Sequence, residues 1–131
     1  MMEVKNKENK SILDILLETD INKIGELSNT TVEIKRLSKI LGEKLMLNVR
    51  ALTSQELEII EGGNIYEKYI IKAVTIEGKK LTDPVILNKF SIKDPLEIVN
   101  KLFNAGEKYN LYKKISSLSG FDEESVKEIK N

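Results

Sequence analysis

The spacing of apolar residues changes at Leu52, and no other feature of the sequence constrains the fold as strongly. Before this point, residues 31–37 (TVEIKRL) and 44–52 (KLMLNVRAL) alternate apolar and polar side chains, which is the period of a half-buried strand. The alternation predicts an antiparallel β-hairpin at about residues 31–50, with a longer loop between its strands. The residues predicted to share one face are Val32, Ile34, Arg36, Leu45, Leu47 and Val49.

Helix signals begin directly after Leu52. Thr53 is the predicted N-cap, and Glu56 completes a capping box in which side chain and backbone bond each other reciprocally. The Gly-Gly pair that follows is predicted to end this helix in the left-handed conformation. A second helix is predicted from about residue 65 to Ala73, with irregular structure across residues 77–83.

Two Asp-Pro pairs mark further helix starts. Asp83 and Asp94 are each followed by proline, and an aspartate cap before a proline at the first helical position is a typical helix beginning. The pairs predict helices over residues 84–90 and 95–103.

The C-terminal part is punctuated by glycine. Gly106 is predicted to break the chain, an amphipathic helix is predicted over residues 107–118, and Gly120 is predicted to stop it. Asp122 then caps a predicted last helix, which starts acidic and ends basic, as the helix dipole favours. The predicted hydrophobic staple of that helix consists of Phe121 and Val126.

Together these signals predict an α+β fold, in which a small antiparallel β-hairpin (about 31–50) packs on a mainly helical domain of short helices. Ser11 is predicted to cap one more helix near the N-terminus, after a polar and frayed stretch at residues 1–10. We expect two parts: an N-terminal helix with a flexible arm at residues 1–29, and a single domain at residues 30–131.

The composition argues against most chemistry. The chain has no cysteine and no histidine, so thiolate, imidazole and zinc-water mechanisms have no side chains to use. Its 21 basic and 21 acidic residues balance, so no global field attracts nucleic acid. No phosphate-binding glycine loop is present either. We therefore expect no enzyme activity, no metal or other cofactor, no small-molecule substrate and no nucleic-acid partner.

The sequence also predicts where the protein is located. Residues 1–30 contain no apolar stretch of signal-peptide length, and no run approaches the ~20 apolar residues of a membrane span. We expect a cytoplasmic protein with no membrane partner.

Four short motifs keep an order and spacing typical of one family. They are Arg36-Leu37, Ala51-Leu52-Thr53, Gly106-Glu107 and Ser119-Gly120-Phe121. With them, about residues 30–131 resemble the XkdN-like tail assembly chaperones of long-tailed bacteriophages and of prophage-derived particles of Gram-positive bacteria. One departure is Ala105, where proline would be expected before the glycine.

The resemblance implies a binding role in the bacterial host. Chaperones of this family are expected to bind the long, helix-rich tape measure protein, to keep it soluble and to help recruit tail tube subunits during tail morphogenesis. They are expected to be absent from the mature virion. Many are made in two lengths by a ribosomal frameshift, so a second copy or a frameshift-extended form is a further expected partner. The family has no catalytic residues to transfer.

Six apolar residues are predicted to contact a partner. Three lie on the N-terminal helix and three on the helix predicted over residues 107–118. The same apolar faces could instead form only the protein's own core, and the sequence leaves both readings open. The six residues are Leu13, Leu16, Leu17, Leu111, Tyr112 and Ile115.

Two alternative functions remain open at this point. The chain could be a structural tail or completion subunit, or a small phage regulator that binds DNA. The second alternative rests on a helical pair at residues 95–118 whose second helix carries Lys108, Lys113 and Lys114. That helix has no arginine, the residue that most often reads guanine edges.

Overall fold

The structure is a computed structural model that describes residues 10–130, so the prediction for residues 1–9 lies outside it. The described residues form eight α-helices, one short 3₁₀ turn and a four-stranded antiparallel sheet, which confirms the α+β prediction. In chain order the elements are α1 (Ile12–Glu18), α2 (Ile21–Ile24), β1 (Asn29–Glu33), α3 (Lys35–Leu41), β2 (Met46–Arg50), α4 (Ser54–Glu58), α5 (Ile65–Ala73), β3 (Val74–Ile76), β4 (Lys79–Lys80), α6 (Pro84–Lys89), α7 (Glu97–Leu102), α8 (Ala105–Leu118) and the 3₁₀ turn (Glu123–Ser125).

The sheet has strand order β1-β2-β3-β4, and helices cover one of its faces. Val32 lies opposite Leu47 and Thr30 opposite Val49, so these side chains share the inner face. Helix α8 packs on β2 and along α5, which places the core between the sheet and the helices. The buried core residues are Ile34, Leu47, Val49, Leu52, Ile70, Ala73, Val74, Leu81, Ile98, Val99, Phe103, Leu111 and Ile115.

The two predicted strands do pair, but a helix joins them rather than a loop. The predicted first strand extended to Arg36, whereas β1 ends at Glu33 and Ile34 is the N-cap residue of α3. Helix α3 ends at Gly42, whose φ of 77° is the left-handed conformation that favours glycine. The Ser38 hydroxyl accepts the backbone N–H of Leu45 at 2.7 Å, which ties the helix to the start of β2.

A second hairpin replaces the irregular structure predicted for residues 77–83. Strands β3 and β4 pair through a two-residue turn in which Glu77 and Gly78 both have positive φ, 49° and 81°. Turns of this kind match the twist of the strands, but asparagine or aspartate usually occupies the first position. The Glu-Gly pair therefore gave only a weak sequence signal.

Gly106 does not break the chain as predicted. It lies in the first turn of α8, which begins at Ala105 and has Asn104 as its N-cap. The Asn104 side chain accepts the N–H of Glu107 at 2.9 Å, and the Glu107 carboxylate accepts the N–H of Asn104 at 2.9 Å. A capping box thus starts this helix two residues earlier than expected.

The predicted last helix is wrong, since only one 3₁₀ turn forms there. Asp122 does cap that turn, by accepting the N–H of Glu124. Phe121 and Val126 are 63% and 85% exposed, so the predicted staple contact does not bury them. A short helix needs a buried face to be stable in water, and this segment has none.

Two other helix boundaries and one connecting segment differ from prediction. Helix α4 ends at Glu58, before the Gly-Gly pair, and α7 begins at Glu97 although Asp94 accepts the N–H of Leu96 at 3.1 Å. The segment after Glu18, predicted as a connecting arm, contains α2. The predicted caps at Ser11 and Asp83 are confirmed.

The capping box at Thr53 is confirmed and gives a direct test of local stability. The Thr53 hydroxyl accepts the N–H of Glu56 at 3.1 Å, and the Glu56 carboxylate accepts the N–H of Thr53 at 3.0 Å. We expect Thr53→Ala to lower the free energy of unfolding by about 1 kcal/mol, measured by urea denaturation. The exposed neighbour Ser54 is the control, and Ser54→Ala should change the free energy of unfolding by less than about 0.5 kcal/mol. An unchanged midpoint for Thr53→Ala would show that this cap does not stabilise the helix.

Candidate protein-binding surfaces

The three predicted contact residues of the N-terminal helix lie on the surface. Leu13, Leu16 and Leu17 are 58%, 54% and 72% exposed. Neither α1 nor α2 has a buried residue, although leucine or isoleucine occupies five of the seven positions of α1 and isoleucine two of the four positions of α2. We call residues 12–27 the N-terminal segment. Its exposed large apolar residues are Ile12, Leu13, Leu16, Leu17, Ile21, Ile24 and Leu27.

The three predicted contact residues of α8 divide between the core and the surface. Leu111 and Ile115 are 4% and 0% exposed and belong to the core, so a partner cannot reach them in this conformation. Their spacing of four residues places them on the helix face that meets the sheet. Tyr112 is half-buried and lies at the edge of that face, where a partner can contact it.

All four tyrosines of the chain meet between α5 and α8. The ring of Tyr112 lies 4.7 Å from that of Tyr66 and 4.8 Å from that of Tyr69, centroid to centroid. Tyr66 also meets Tyr109 edge to face at 5.8 Å. Burial, with a smaller contribution from Tyr112, raises the pKa of Tyr69, so its phenol stays neutral at physiological pH.

An open groove of about 890 Å³ begins at this tyrosine cluster and ends at the C-terminal turn. Its apolar lining includes Phe121, a large and exposed residue. Its charged lining is mostly acidic, with three carboxylates and one lysine. The residues that line the groove are Tyr69, Tyr112, Lys113, Ser116, Ser117, Phe121, Asp122, Glu123 and Glu124. We call this surface the tyrosine groove.

A half-buried ion pair fixes the two helices that form the groove. Lys108 of α8 donates to the carboxylate of Glu67 of α5 at 2.9 Å and to the side chain of Asn100 at 2.5 Å. Burial acts to raise the pKa of Glu67, but the hydrogen bond from Lys108 leaves it lower than usual. Removing either partner would leave a charge in poor contact with water, so this pair holds the helices in register.

Both arginines of the chain form ion pairs with glutamates of other elements. Arg36 of α3 makes two hydrogen bonds to Glu107, at 2.9 and 3.0 Å, and one to the carbonyl of Leu102 at 2.8 Å. Arg50 of β2 binds the Glu56 carboxylate through two bonds of 2.8 Å. Neither guanidinium is therefore free to bind a nucleic acid, which weakens the DNA-binding alternative further.

The ion pair between Arg50 and Glu56 predicts that the protein is less stable in acid. The pKa of Glu56 is lowered to about 2, first because Arg50 hydrogen-bonds the carboxylate. An unfolded glutamate titrates with a pKa of about 4.3, so this group stabilises the fold above that pH and loses the effect as the pH falls towards 2. We expect the loss of this pair to lower the free energy of unfolding by roughly 1–2 kcal/mol as the pH falls from 5 to 2, measured by urea titrations at each pH.

Two variants check this acid sensitivity. Glu56→Gln should flatten the pH dependence, because the amide does not titrate. Some dependence should remain, because Arg36 also lowers the pKa of Glu107. The exposed Glu58 is the control, and Glu58→Gln should leave the profile unchanged. An identical pH profile for Glu56→Gln and the unchanged protein would contradict the expectation.

Between residues 10 and 130, no group of three or more metal-ligating side chains comes together. In the same range, no helix is both long and apolar enough to cross a bilayer.

Comparison with known proteins places this architecture in a family. The family model of the phage XkdN-like tail assembly chaperone protein matches residues 61–130, which is more than half of the 131 residues. The matched part runs from before α5 to beyond the 3₁₀ turn and includes every residue that lines the tyrosine groove. No curated protein and no solved structure matches the chain.

Proposed function

Because this chain belongs to the XkdN-like phage tail assembly chaperones, we propose that it binds the tape measure protein of its phage, keeps it soluble and helps to recruit tail tube subunits to it. It acts in the cytoplasm of the bacterial host and is absent from the mature virion. It works by binding alone, without catalysis.

The tyrosine groove is the observation that carries this proposal. A client that is long and helical presents apolar stripes, and a groove between helices can cover one such stripe. Tyrosine and phenylalanine suit this role because they offer large apolar area with few rotatable bonds. The groove also has the open shape that an extended client requires, since a closed pocket would admit only a chain end.

The charges around the groove define the chemistry of the client. The charged residues that line it are Asp122, Glu123, Glu124 and Lys113, which gives a net negative rim. We therefore propose that the bound segment is an amphipathic helix with lysine or arginine beside its apolar stripe. A basic flank would meet the acidic rim, and the apolar stripe would meet Phe121 and Tyr112.

The N-terminal segment is a second contributor to client solubility. Helix α1 has seven residues and α2 has four, and isolated helices of this length are not stable in water. Their apolar side chains must dock on another surface to be covered. Leu13, Leu16 and Leu17 remain candidates for that contact.

Charge and apolar changes at the rim test the groove directly. The probes are overlapping synthetic helices that span the cognate tape measure protein, and affinity is measured by fluorescence anisotropy. We expect Phe121→Ser/Glu123→Lys to weaken the best-binding helix by about tenfold or more, because it removes an exposed anchor and reverses one rim charge.

A matched control lies in the same C-terminal segment. Val126 and Glu128 are also an exposed apolar residue and a carboxylate, but neither lines the groove. Val126→Ser/Glu128→Lys should bind like the unchanged protein. Equal affinity for the two double variants would place the client contact elsewhere.

The structural-subunit alternative makes a different prediction. A tail or completion subunit is present in purified particles at fixed stoichiometry, whereas a chaperone is missing from them. Quantitative mass spectrometry of purified particles separates the two, and we expect this chain to be absent.

A further inference from the structure

Strand β1 is one of the two outer strands of the sheet, and its free edge is open to pairing. The strand order β1-β2-β3-β4 leaves β1 and β4 with one neighbour each. Strand β4 consists of Lys79 and Lys80 only, and a short edge strand with exposed lysines resists pairing with other chains. Strand β1 spans five residues and contains no lysine and no proline. Its edge is therefore better suited to accept another strand.

The hydrogen bonds between β1 and β2 show which backbone groups face this edge. The carbonyl of Ser28 accepts the N–H of Ala51 at 2.8 Å, and the N–H of Ile34 donates to the carbonyl of Leu45 at 3.2 Å. Bonded and non-bonded pairs alternate along an antiparallel ladder, so the residues with even numbers bond β2 and those with odd numbers point away from it. The residues whose N–H and carbonyl groups point outward are Asn29, Thr31 and Glu33. No hydrogen bond within residues 10–130 uses these groups.

An open cavity of about 320 Å³ lies beside the end of this edge. Val32 and Ile34 line it from the β1 side, and Leu111 lines it from α8. Helix α8 packs mainly on β2, the inner neighbour of β1, which leaves space next to the outer strand. In an added strand, the side chain opposite Val32 would lie on the same face of the sheet. One apolar side chain of an added strand therefore fits the cavity.

The charged side chains around the cavity favour a carboxylate. Arg36 and Glu107 line it, but they bind each other at 2.9 Å. Lys35 and Lys114 are exposed, and neither forms an ion pair with any residue from 10 to 130. The remaining carboxylate is that of Glu33, which shares the exposed, outer alternation of β1. The inner side of the edge is therefore basic.

We propose that the free edge of β1 binds an extended segment of another protein as a fifth strand, with one apolar side chain in the cavity and a carboxylate beside it on the same face. The backbone groups of the edge provide affinity, and the cavity provides specificity. A helix has already paired its own backbone groups, so the partner is not the helical client. The site goes beyond the proposed function, because it shares no lining residue with the tyrosine groove and needs no client.

A synthetic peptide of sequence TETITET is the probe. Its isoleucine and glutamates share one face, and the sequence reads the same in both directions, so it suits either strand orientation. Fluorescence anisotropy measures affinity, and hydrogen exchange followed by NMR measures the protection of single amides. We expect the peptide to protect the outward amides of Thr31 and Glu33. The amides of Thr30 and Val32 already bond β2, so their protection should change little.

The variant Thr31→Pro tests the backbone contact. Proline has no N–H to donate, and an edge strand tolerates it where that N–H faces solvent. We expect Thr31→Pro to bind TETITET about tenfold more weakly, because a ladder hydrogen bond is lost and its carbonyl partner is left without a donor. Thr31→Ala keeps the N–H and is the matched control, so it should bind like the unchanged protein.

The variant Lys114→Glu tests the charge of the cavity and does not depend on a proline being tolerated. We expect it to weaken binding of TETITET about threefold or more. The matched control is Lys113→Glu, which makes the same change in net charge on the tyrosine groove instead and should not weaken binding. The peptide TETSTET, which lacks the apolar side chain, should bind more weakly than TETITET.

Several results would overturn the proposal. One is the absence of TETITET binding at the highest soluble concentration of the chain, and another is binding that leaves the Thr31 and Glu33 amides unprotected. Equal affinities within either matched pair of folded variants would do the same. Protection of these amides that rises with the concentration of the chain alone would assign the edge to a second copy instead. The groove variant Phe121→Ser/Glu123→Lys should bind TETITET normally, so failure of client binding and failure of this site are distinguishable.

Discussion

Replacing Ile115 with alanine is expected to lower the free energy of unfolding by about 2–5 kcal/mol. The side chain is fully buried between α8 and the sheet, so the truncation removes apolar contacts and leaves a cavity. Domains of this size are stable by only about 5–15 kcal/mol, so the loss is a large share of the total. Urea denaturation followed by circular dichroism measures it.

The control for this variant lies on the same helix. Ser117 is exposed on α8, and Ser117→Ala should change the free energy of unfolding by less than about 0.5 kcal/mol. If Ile115→Ala left the midpoint of urea denaturation unchanged, Ile115 would not be a core residue. The prediction that Ile115 contacts a partner would then be open again.

Helix caps can be predicted from the sequence, because a cap depends only on one side chain and a backbone group close to it. Ser11, Thr53 and Asp83 all cap the helices they were predicted to cap. Such caps depend on three or four neighbouring residues, so they are visible in the sequence. The same rule applies to Asn104, but the sequence does not reveal this cap as clearly, because Gly106 two residues later is also a typical helix breaker.

Elements that depend on distant partners could not be predicted in the same way. The run from Lys35 to Leu41 begins with the alternation of a strand, but it forms a helix in the structure, where the side chain of Arg36 bonds Glu107, 71 residues away. Strand β3 forms because Val74 pairs with Val49 of β2. β-Branched residues at the end of a helical stretch fit either structure, and only this pairing decides.

The candidate site shows the same division. Periodicity identified Leu111 and Ile115 as one apolar face, but it cannot tell a face that meets the core from one that meets a partner. The tyrosine groove was missed because α5, α8 and the C-terminal turn form it together. Its one sequence signal is the repeated Tyr-x-x-Tyr spacing, at 66 and 69 and again at 109 and 112.

Loss of client solubility is the second large effect we expect. The cognate tape measure protein expressed alone should aggregate, because its apolar stripes are exposed. Co-expression with the full chain should move most of it into the soluble fraction. The groove variant Phe121→Ser/Glu123→Lys should lose most of this effect, and Val126→Ser/Glu128→Lys should keep it. The variant Leu13→Asp/Leu16→Asp/Leu17→Asp should retain the groove but solubilise less, because it removes three exposed apolar side chains of the N-terminal segment.

The soluble fraction of the tape measure protein, with and without the full chain, is the most direct test of the account. Centrifugation followed by quantitative gel analysis of both fractions measures it, and size-exclusion chromatography shows whether the two proteins elute together. We predict a soluble complex with the full chain and an insoluble tape measure protein without it. A tape measure protein that stays insoluble beside an abundant, folded chain would contradict the account.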